Sequence, residues 1–204
     1  MNVGIIDYGM GNLLSVNNAV EYLGYDCKII DKPSLLSQFD KLILPGVGAF
    51  EACIDNLESK NFVKFLNNEV LINKKPILGI CLGMQIMAKK GFEGGEFDGL
   101  GWFDAEVVKI KPEDNSIKVP NIGWNEIKYN DNNILFKNLR KPVEVYFVHS
   151  YHMNCLEKKD IIATSNHGHE ITAAINKDNI YGTQFHPEKS SKVGRQLLNN
   201  FLNA

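Results

Sequence analysis

Residues 76–83, Pro76-Ile77-Leu78-Gly79-Ile80-Cys81-Leu82-Gly83, decide how the chain is read. Pro76-Ile77-Leu78 has the apolar texture of a short buried strand, and Met84-Gln85-Ile86-Met87-Ala88-Lys89-Lys90 reads as a helix ending in cations. Cys81 therefore falls on a strand-to-helix turn. Gly79 and Gly83 flank it in a G-x-nucleophile-x-G arrangement, in which glycine lets strand, turn and helix approach closely. The free N–H groups at a helix start favour negative charge, and the thiolate is the nucleophilic form of cysteine. The plain alternative is a buried cysteine packing as a small hydrophobe.

Upstream, residues 2–7 form a first strand, and a glycine turn at 8–12 leads into a helix with Leu13, Val16, Val20 and Leu23 on one face. Gly9-Met10-Gly11 lacks the third glycine of a dinucleotide fingerprint because Leu14 stands there, so a nucleotide site is set aside. Strands are expected over 25–30 and 41–44, the latter running into Pro45-Gly46-Val47-Gly48. Paired glycines at a strand end free the backbone to aim N–H groups into a crevice. Ligands of open parallel sheets bind beyond the carboxyl ends of the strands, so this turn and the Cys81 elbow are expected to be neighbours. A helix carrying Phe62, Phe65, Leu66 and Val70 on one face precedes the elbow.

Downstream, 91–101 is a glycine-rich loop whose acids Glu93, Glu96 and Asp98 repel phosphate, and no catalytic chemistry is assigned to it. Short β-like pieces follow at 105–110, 117–120, 126–129, 143–149, 161–165, 171–176 and 180–184, with an antiparallel texture. Ser190-Ser191 announces a last helix with Val193, Leu197, Phe201 and Leu202 on a face. No linker, repeat or low-complexity segment interrupts the 204 residues, which are read as a single domain over 1–204.

Composition narrows the chemistry. Lys plus Arg is 22 against 24 for Asp plus Glu, net −2, which recommends neither nucleic acid nor an anionic membrane as partner. Arg140 and Arg195 are the only arginines, so a highly phosphorylated substrate is expected to belong to another chain. The N-terminal stretch lacks a basic region and the apolar length of a signal peptide, and no run reaches transmembrane length. Cys27, Cys53, Cys81 and Cys155 are scattered and read as free thiols in a cytoplasmic protein.

A nucleophilic thiol needs a base, and the base an orienting group. Gly182-Thr183-Gln184-Phe185-His186-Pro187-Glu188 sets His186 and Glu188 two apart at a strand end. In extended chain such residues share a side, so Glu188 can support one nitrogen of His186 while the other faces the thiol. An exposed polar pair is the competing reading. His149-x-x-His152-x-x-Cys155 and His167-Gly168-His169 hint at a metal, but the spacing is looser than that of structural zinc sites, and no metal is assigned. Trp124 is read as core or interface.

These motifs together resemble the class I (triad) glutamine amidotransferases. Asp7-Tyr8-Gly9-Met10-Gly11-Asn12, Val119-Pro120-Asn121-Ile122-Gly123-Trp124-Asn125, Tyr146-Phe147-Val148-His149-Ser150-Tyr151 and His186-Pro187-Glu188-Lys189-Ser190-Ser191 narrow the resemblance to the glutaminase subunits of imidazole glycerol phosphate synthases. The resemblance implies a three-layer, flavodoxin-like α/β fold: a central, mostly parallel sheet flanked by helices, with a smaller antiparallel sheet region. It implies hydrolysis of L-glutamine by Cys81, His186 and Glu188 without a cofactor. It implies that the oxyanion is met by N–H groups of Leu82 and of Gly46-Val47-Gly48, and that Gln85, Gly48, Ser150 and Tyr151 cradle substrate. It further implies a (β/α)₈ barrel cyclase as heterodimeric partner, receiving ammonia and approached by Met10, Asn12, Pro120, Trp124, Tyr146, His149 and Lys189. Glutamine hydrolysis is expected to be slow until that partner is docked and liganded, with the 45–48 turn as the switching element.

Two departures touch partner-associated segments. Asn121 and Leu14 stand where the family more usually has histidine and often arginine. They keep open a related glutaminase that supplies ammonia for amidation of a cell-surface sugar. A non-catalytic binding or regulatory subunit is the alternative of another class, and the intact Cys81, His186 and Glu188 speak against it.

Overall fold

The computed structural model describes residues 1–114 and 116–204. β1 (Asn2–Ile6) leads through the glycine turn to α1 (Leu13–Tyr22), and β2 (Asp26–Ile30) and β3 (Lys41–Gly46) follow. α2 (Phe50–Ser59) and α3 (Phe62–Asn67, continued by a π-turn over Asn68–Ile72) lead to β4 (Ile77–Cys81) and α4 (Leu82–Gln85). The remaining strands are β5 (Ala88–Gly91), β6 (Phe97–Asp98), β7 (Phe103–Lys109), β8 (Asn121–Tyr129), β9 (Glu144–His149), β10 (Tyr151–Cys155), β11 (Ile161–Asn166), β12 (Glu170–Lys177) and β13 (Ile180–Thr183). α5 (Ser191–Leu202) closes the chain.

Among the described residues a nine-stranded sheet runs β2-β1-β3-β4-β13-β12-β11-β8-β9. Its first five strands pair in parallel and the rest antiparallel, so the sheet is mixed. A second sheet, β10-β7-β5-β6, is antiparallel except where β5 meets β7. Side chains alternate across the pleat. Val3, Ile5, Ile43, Leu78 and Ile80 join Val16 and Val20 of α1 and Leu197 and Phe201 of α5 in one core. Leu42, Leu44 and Ile77 face the other way, onto Phe50, Leu57 and Phe62 of α2 and α3 and Phe103 and Met153 of the second sheet. Helices on one face, with helices and a small sheet on the other, make the three layers.

Several elements differ from the sequence reading. The helix expected over 84–90 stops at Gln85, and Lys89 and Lys90 lie in β5, beside β6 and β7. The cations read as a helix end thus sit on an inner strand of the small sheet, Lys89 exposed and Lys90 half-buried. The pattern around 62–70 gives α3 and its π-turn, but Phe65 points outward at 40% exposure. Residues 117–120 form no strand: Ile117 N–H bonds the Asp114 carbonyl to close a turn, and Pro120 has no N–H for a ladder. α2 and β10 were not anticipated. Ser190 does not cap α5 with its side chain. Its buried hydroxyl donates to the His186 carbonyl at 2.7 Å and accepts the Tyr146 N–H at 3.0 Å, tying β9 to the His186 segment.

Candidate active site

The parallel register brings the chemistry to one edge. Gly46 of β3 pairs with Cys81 of β4, and Thr183 of β13 pairs with Ile80, so the glycine turn, the elbow and the 184–188 segment lie side by side. Close approach is possible because Gly83 has no side chain: a Cβ there would stand 1.8 Å from the Leu44 carbonyl oxygen. Cys81 itself takes φ 55° and ψ −111°. That region is sparsely populated for an L-residue and costs on the order of 1–3 kcal/mol, which the surrounding packing must hold in place. The result is a thiol, 8% exposed, at the wall of a cavity of about 390 Å³.

His186 and Glu188 do meet, but through a 3₁₀ turn over Pro187–Lys189 that follows β13, and not along the extended chain expected from the sequence. His186 Nδ1 is 2.8 Å from Glu188 Oε1, and the side chains are 2% and 1% exposed. The other ring nitrogen, Nε2, is buried without a hydrogen-bond partner and is left for Cys81 and whatever occupies the cavity. Burial alone pulls this imidazole down. The Cys81 sulfur and the Glu188 carboxylate outweigh it and raise the pKa to about 9. A histidine so held favours the imidazolium at neutral pH, beside the Cys81 sulfur and able to give its proton to a leaving group.

The cavity wall contains Val47, Gly48, Cys81, Leu82, Gln85, Glu93, Pro120, His149, Ser150, Tyr151, His186 and Lys189 among others. Gly46 and Glu188 stand behind it. Leu82 opens α4, so its N–H has no partner within the helix. Gly48 has φ +107°, and a Cβ on it would meet Met10 Cε at 2.6 Å, so Met10 packs directly on the turn. Tyr8 supports the turn from below, donating its hydroxyl to the Pro45 carbonyl at 2.8 Å.

Of the residues expected at a partner face, Trp124 is 50% exposed and meets Tyr146 edge to face at 6.1 Å, with Lys189 Nζ 6.0 Å from the Tyr146 ring. Ile122 and Val148, paired across β8 and β9, add exposed apolar surface. Asn12 precedes α1 without capping it through its side chain. His149 is different: it is 7% exposed and faces the cavity. Burial lowers its pKa to about 4. Its Nδ1 lies 2.7 Å from the Tyr151 carbonyl oxygen and its Nε2 3.1 Å from Asn121 Nδ2, so the neutral ring donates from Nδ1 and accepts at Nε2.

Two side chains escaped the sequence reading. Glu93, in the loop given no chemistry, places a carboxylate in the cavity wall and accepts the Phe50 N–H at the start of α2 at 2.9 Å. Gln184 is fully buried, and its Nε2 lies 3.7 Å from the Cys81 sulfur. A long hydrogen-bonding side chain next to the histidine motif was the available signal. Among the described residues no group of three or more His, Cys, Asp or Glu is placed to hold a metal. His152 and His169 meet as a T-shaped ring pair, 5.5 Å apart. Cys27, Cys53 and Cys155 are free thiols whose pKa values burial pushes to about 12. A groove of about 460 Å³ along β2 contains none of the triad. No helix among the described residues is long and apolar enough to cross a membrane.

Residues 4–204 match the family model described as glutamine amidotransferase class-I. The chain is 46% identical over 200 residues to the imidazole glycerol phosphate synthase subunit HisH 2 of Methanococcus maripaludis, covering 98% of each chain. It is 44% identical over 199 residues to subunit HisH 1 of Campylobacter jejuni, again covering 98% of each. It is 43% identical to subunit HisH of Pelagibacter ubique over the whole of both chains. Among solved structures, a glutamine amidotransferase superposes with a TM-score of 0.76 at 18% identity, covering 98% of this chain and 97% of that one. The PurLQS structure from Thermotoga maritima superposes at 0.74 and 18% identity, covering 99% and 97%. At those identities the structural likeness speaks for the fold.

Proposed function

Because the chain belongs to the class I glutamine amidotransferase family and, within it, to the HisH subunits of imidazole glycerol phosphate synthase, we propose that Cys81, His186 and Glu188 hydrolyse L-glutamine to L-glutamate and ammonia. The observation that carries this reading is the buried His186–Glu188 contact of 2.8 Å behind the cavity that Cys81 lines. The Cys81 thiolate attacks the side-chain amide carbon, and the developing oxyanion is met by the Leu82 N–H and the Gly46-Val47-Gly48 turn. The C–N bond breaks as His186 gives its Nε2 proton to the leaving nitrogen, releasing ammonia and a glutamyl thioester. Water then attacks the thioester while His186 takes back a proton. The C–S bond breaks, Cys81 leaves as thiolate, and glutamate departs. Glu188 holds the ring in one tautomer throughout and stabilises its charged form.

The wall groups suit an amino-acid substrate. Both N–H bonds of Gln85 Nε2 are committed, to the Tyr151 carbonyl and to Gln184, so Gln85 offers substrate its oxygen. Glu93 supplies a carboxylate suited to an α-ammonium group. Ser150 and Tyr151 line the opposite side. No cofactor enters these steps.

As a HisH-type subunit the chain acts in a complex with a partner subunit. The partner in this reading is a (β/α)₈ barrel cyclase that uses the ammonia to make imidazole glycerol phosphate and aminoimidazole carboxamide ribotide in histidine biosynthesis. Its docking face is Met10, Asn12, Pro120, Trp124, Tyr146 and Lys189, with the exposed Ile122 and Val148 giving that edge the apolar surface a partner would cover. Four free thiols suit the reducing cytoplasm in which the pair would work. The test is reconstitution with the barrel subunit: ribonucleotide converted to imidazole glycerol phosphate with L-glutamine as sole nitrogen source. Glutamine hydrolysis without that product would direct the ammonia elsewhere. Asn121, in place of the family's usual histidine, favours a sugar-amidating acceptor as the second reading.

A further inference from the structure

Gln184 follows β13 directly and lies beside the elbow, fully buried. Its Nε2 is 3.7 Å from the Cys81 sulfur and its Oε1 is 2.9 Å from Gln85 Nε2. A side-chain amide can be turned end for end, but one backbone atom fixes the direction here. The Tyr151 carbonyl can only accept, so the Gln85 group 2.9 Å from it is the NH₂. That NH₂ also faces Gln184, which must answer with its oxygen, and the Gln184 NH₂ is left for the sulfur. The same Tyr151 carbonyl accepts His149 Nδ1–H, whose other nitrogen accepts from Asn121 Nδ2. Asn121 Oδ1 in turn accepts from Asn125 Nδ2 at 2.8 Å. Two arms of donors thus converge on one carbonyl, and one of them extends to the nucleophile.

We propose that Gln184 is a positioning residue for Cys81: its amide N–H holds the sulfur on the elbow as a thiolate, and Gln85, locked by the Tyr151 carbonyl, keeps the donor end of Gln184 turned toward it. The inference rests on the reading of Cys81 as the nucleophile. A donor to sulfur favours the charged form before attack and again when the thioester is hydrolysed and sulfur must leave with its electron pair. It is withdrawn from neither half-reaction, because Gln184 is anchored from behind and cannot follow substrate into the cavity. A residue that merely filled space would be best replaced by its isostere glutamate. The donor role predicts the reverse, since a carboxylate keeps the bond from Gln85 but sets negative charge against the sulfur.

The test measures alkylation of Cys81 by iodoacetamide at pH 7, mapped by mass spectrometry, in the wild type, Gln184→Met, Gln184→Glu and Gln85→Leu. Loss of a hydrogen bond to a charged group should slow Cys81 labelling about tenfold or more in Gln184→Met, with Gln184→Glu slower still. Gln85→Leu leaves Gln184 free to turn and should slow labelling by about threefold or more. Buried Cys53 and Cys155 staying unlabelled reports that each variant is folded, and Gln85→Leu serves if a Gln184 variant is not. In glutamine turnover, kcat should fall about tenfold to a hundredfold in Gln184→Met while KM stays within about twofold. Labelling within about twofold of wild type in the folded variants overturns the role of Gln184, whatever happens to glutamine. Turnover persisting in Cys81→Ala overturns the nucleophile assignment, and with it the inference.

Discussion

His186 Nδ1 lies 2.8 Å from Glu188 Oε1 with both side chains out of water, and this contact acts together with the Cys81 sulfur to favour the charged ring against burial. Removing the carboxylate's charge without its shape should therefore disable chemistry more than folding. Glu188→Gln is expected to lower kcat for glutamine hydrolysis by about 10²- to 10⁴-fold with little change in KM, measured by steady-state glutamate release.

The same contact makes stability depend on pH. His186 has its pKa raised from 6.5 to about 9, so the folded state binds this proton more tightly than the unfolded chain. The resulting stabilisation is fully present below about pH 6.5 and is lost as pH rises through about 9. Its size is on the order of a few kcal/mol, shared with the charges on Cys81 and Glu188 that raise it. Thermal midpoints measured between pH 6 and pH 10 should fall more steeply for the wild type than for His186→Asn.

Gly83 reports the closeness of β3 to the elbow. A Cβ at 83 would stand 1.8 Å from the Leu44 oxygen and 2.9 Å from its carbonyl carbon, and backbone on a buried strand cannot move aside cheaply. Gly83→Ala is expected to destabilise the fold by about 3 kcal/mol, lowering the melting temperature by about 6–12 °C in a calorimetric scan. Gly94→Ala, where a Cβ meets nothing within 4 Å, separates this clash from the loss of a glycine as such, although its φ of +75° adds a modest strain of its own.

Val47 joins the turn to the cavity at 42% exposure. Val47→Pro fixes φ and deletes the N–H, so glutamine hydrolysis should no longer rise when the proposed barrel partner and a ribonucleotide substrate are added. Unchanged stimulation would remove the turn from the switching step.

The elbow and the His-x-Glu pair were legible because each is local. An apolar run ending in G-x-C-x-G marks one strand end, and His186 and Glu188 stand two apart just beyond another, where a 3₁₀ turn over Pro187–Lys189 and not strand alternation brings them together. The glycine turn was legible for the same reason, and the sheet register then placed it against Cys81. What escaped depends on partners far along the chain. Gln184 finds Cys81 103 residues away and Gln85 99 residues away, contacts that no periodicity records. The 84–90 segment read as helix because its residues have helical propensity, but β7 and β6 were waiting for Lys89 and Lys90 and tertiary pairing overrode propensity. β10 was hidden because His152 and Asn154 break the apolar run, although Met153 and Cys155 are buried. His149 was expected at the partner face because the resemblance implied it, whereas here it is buried and Asn121 and the Tyr151 carbonyl satisfy both its nitrogens.

The central claim is that Cys81 is the nucleophile of an L-glutamine hydrolase, and a glutamine-like chloroketone tests it most directly. Wild-type protein in complex with the barrel subunit proposed as its partner, treated with the reagent and mapped by peptide mass spectrometry, should carry the adduct on Cys81 alone and lose glutamate release in proportion to labelling. Cys27, Cys53 and Cys155 should stay unmodified. An adduct elsewhere with Cys81 free, or full labelling of Cys81 with glutamine hydrolysis undiminished, would contradict the account.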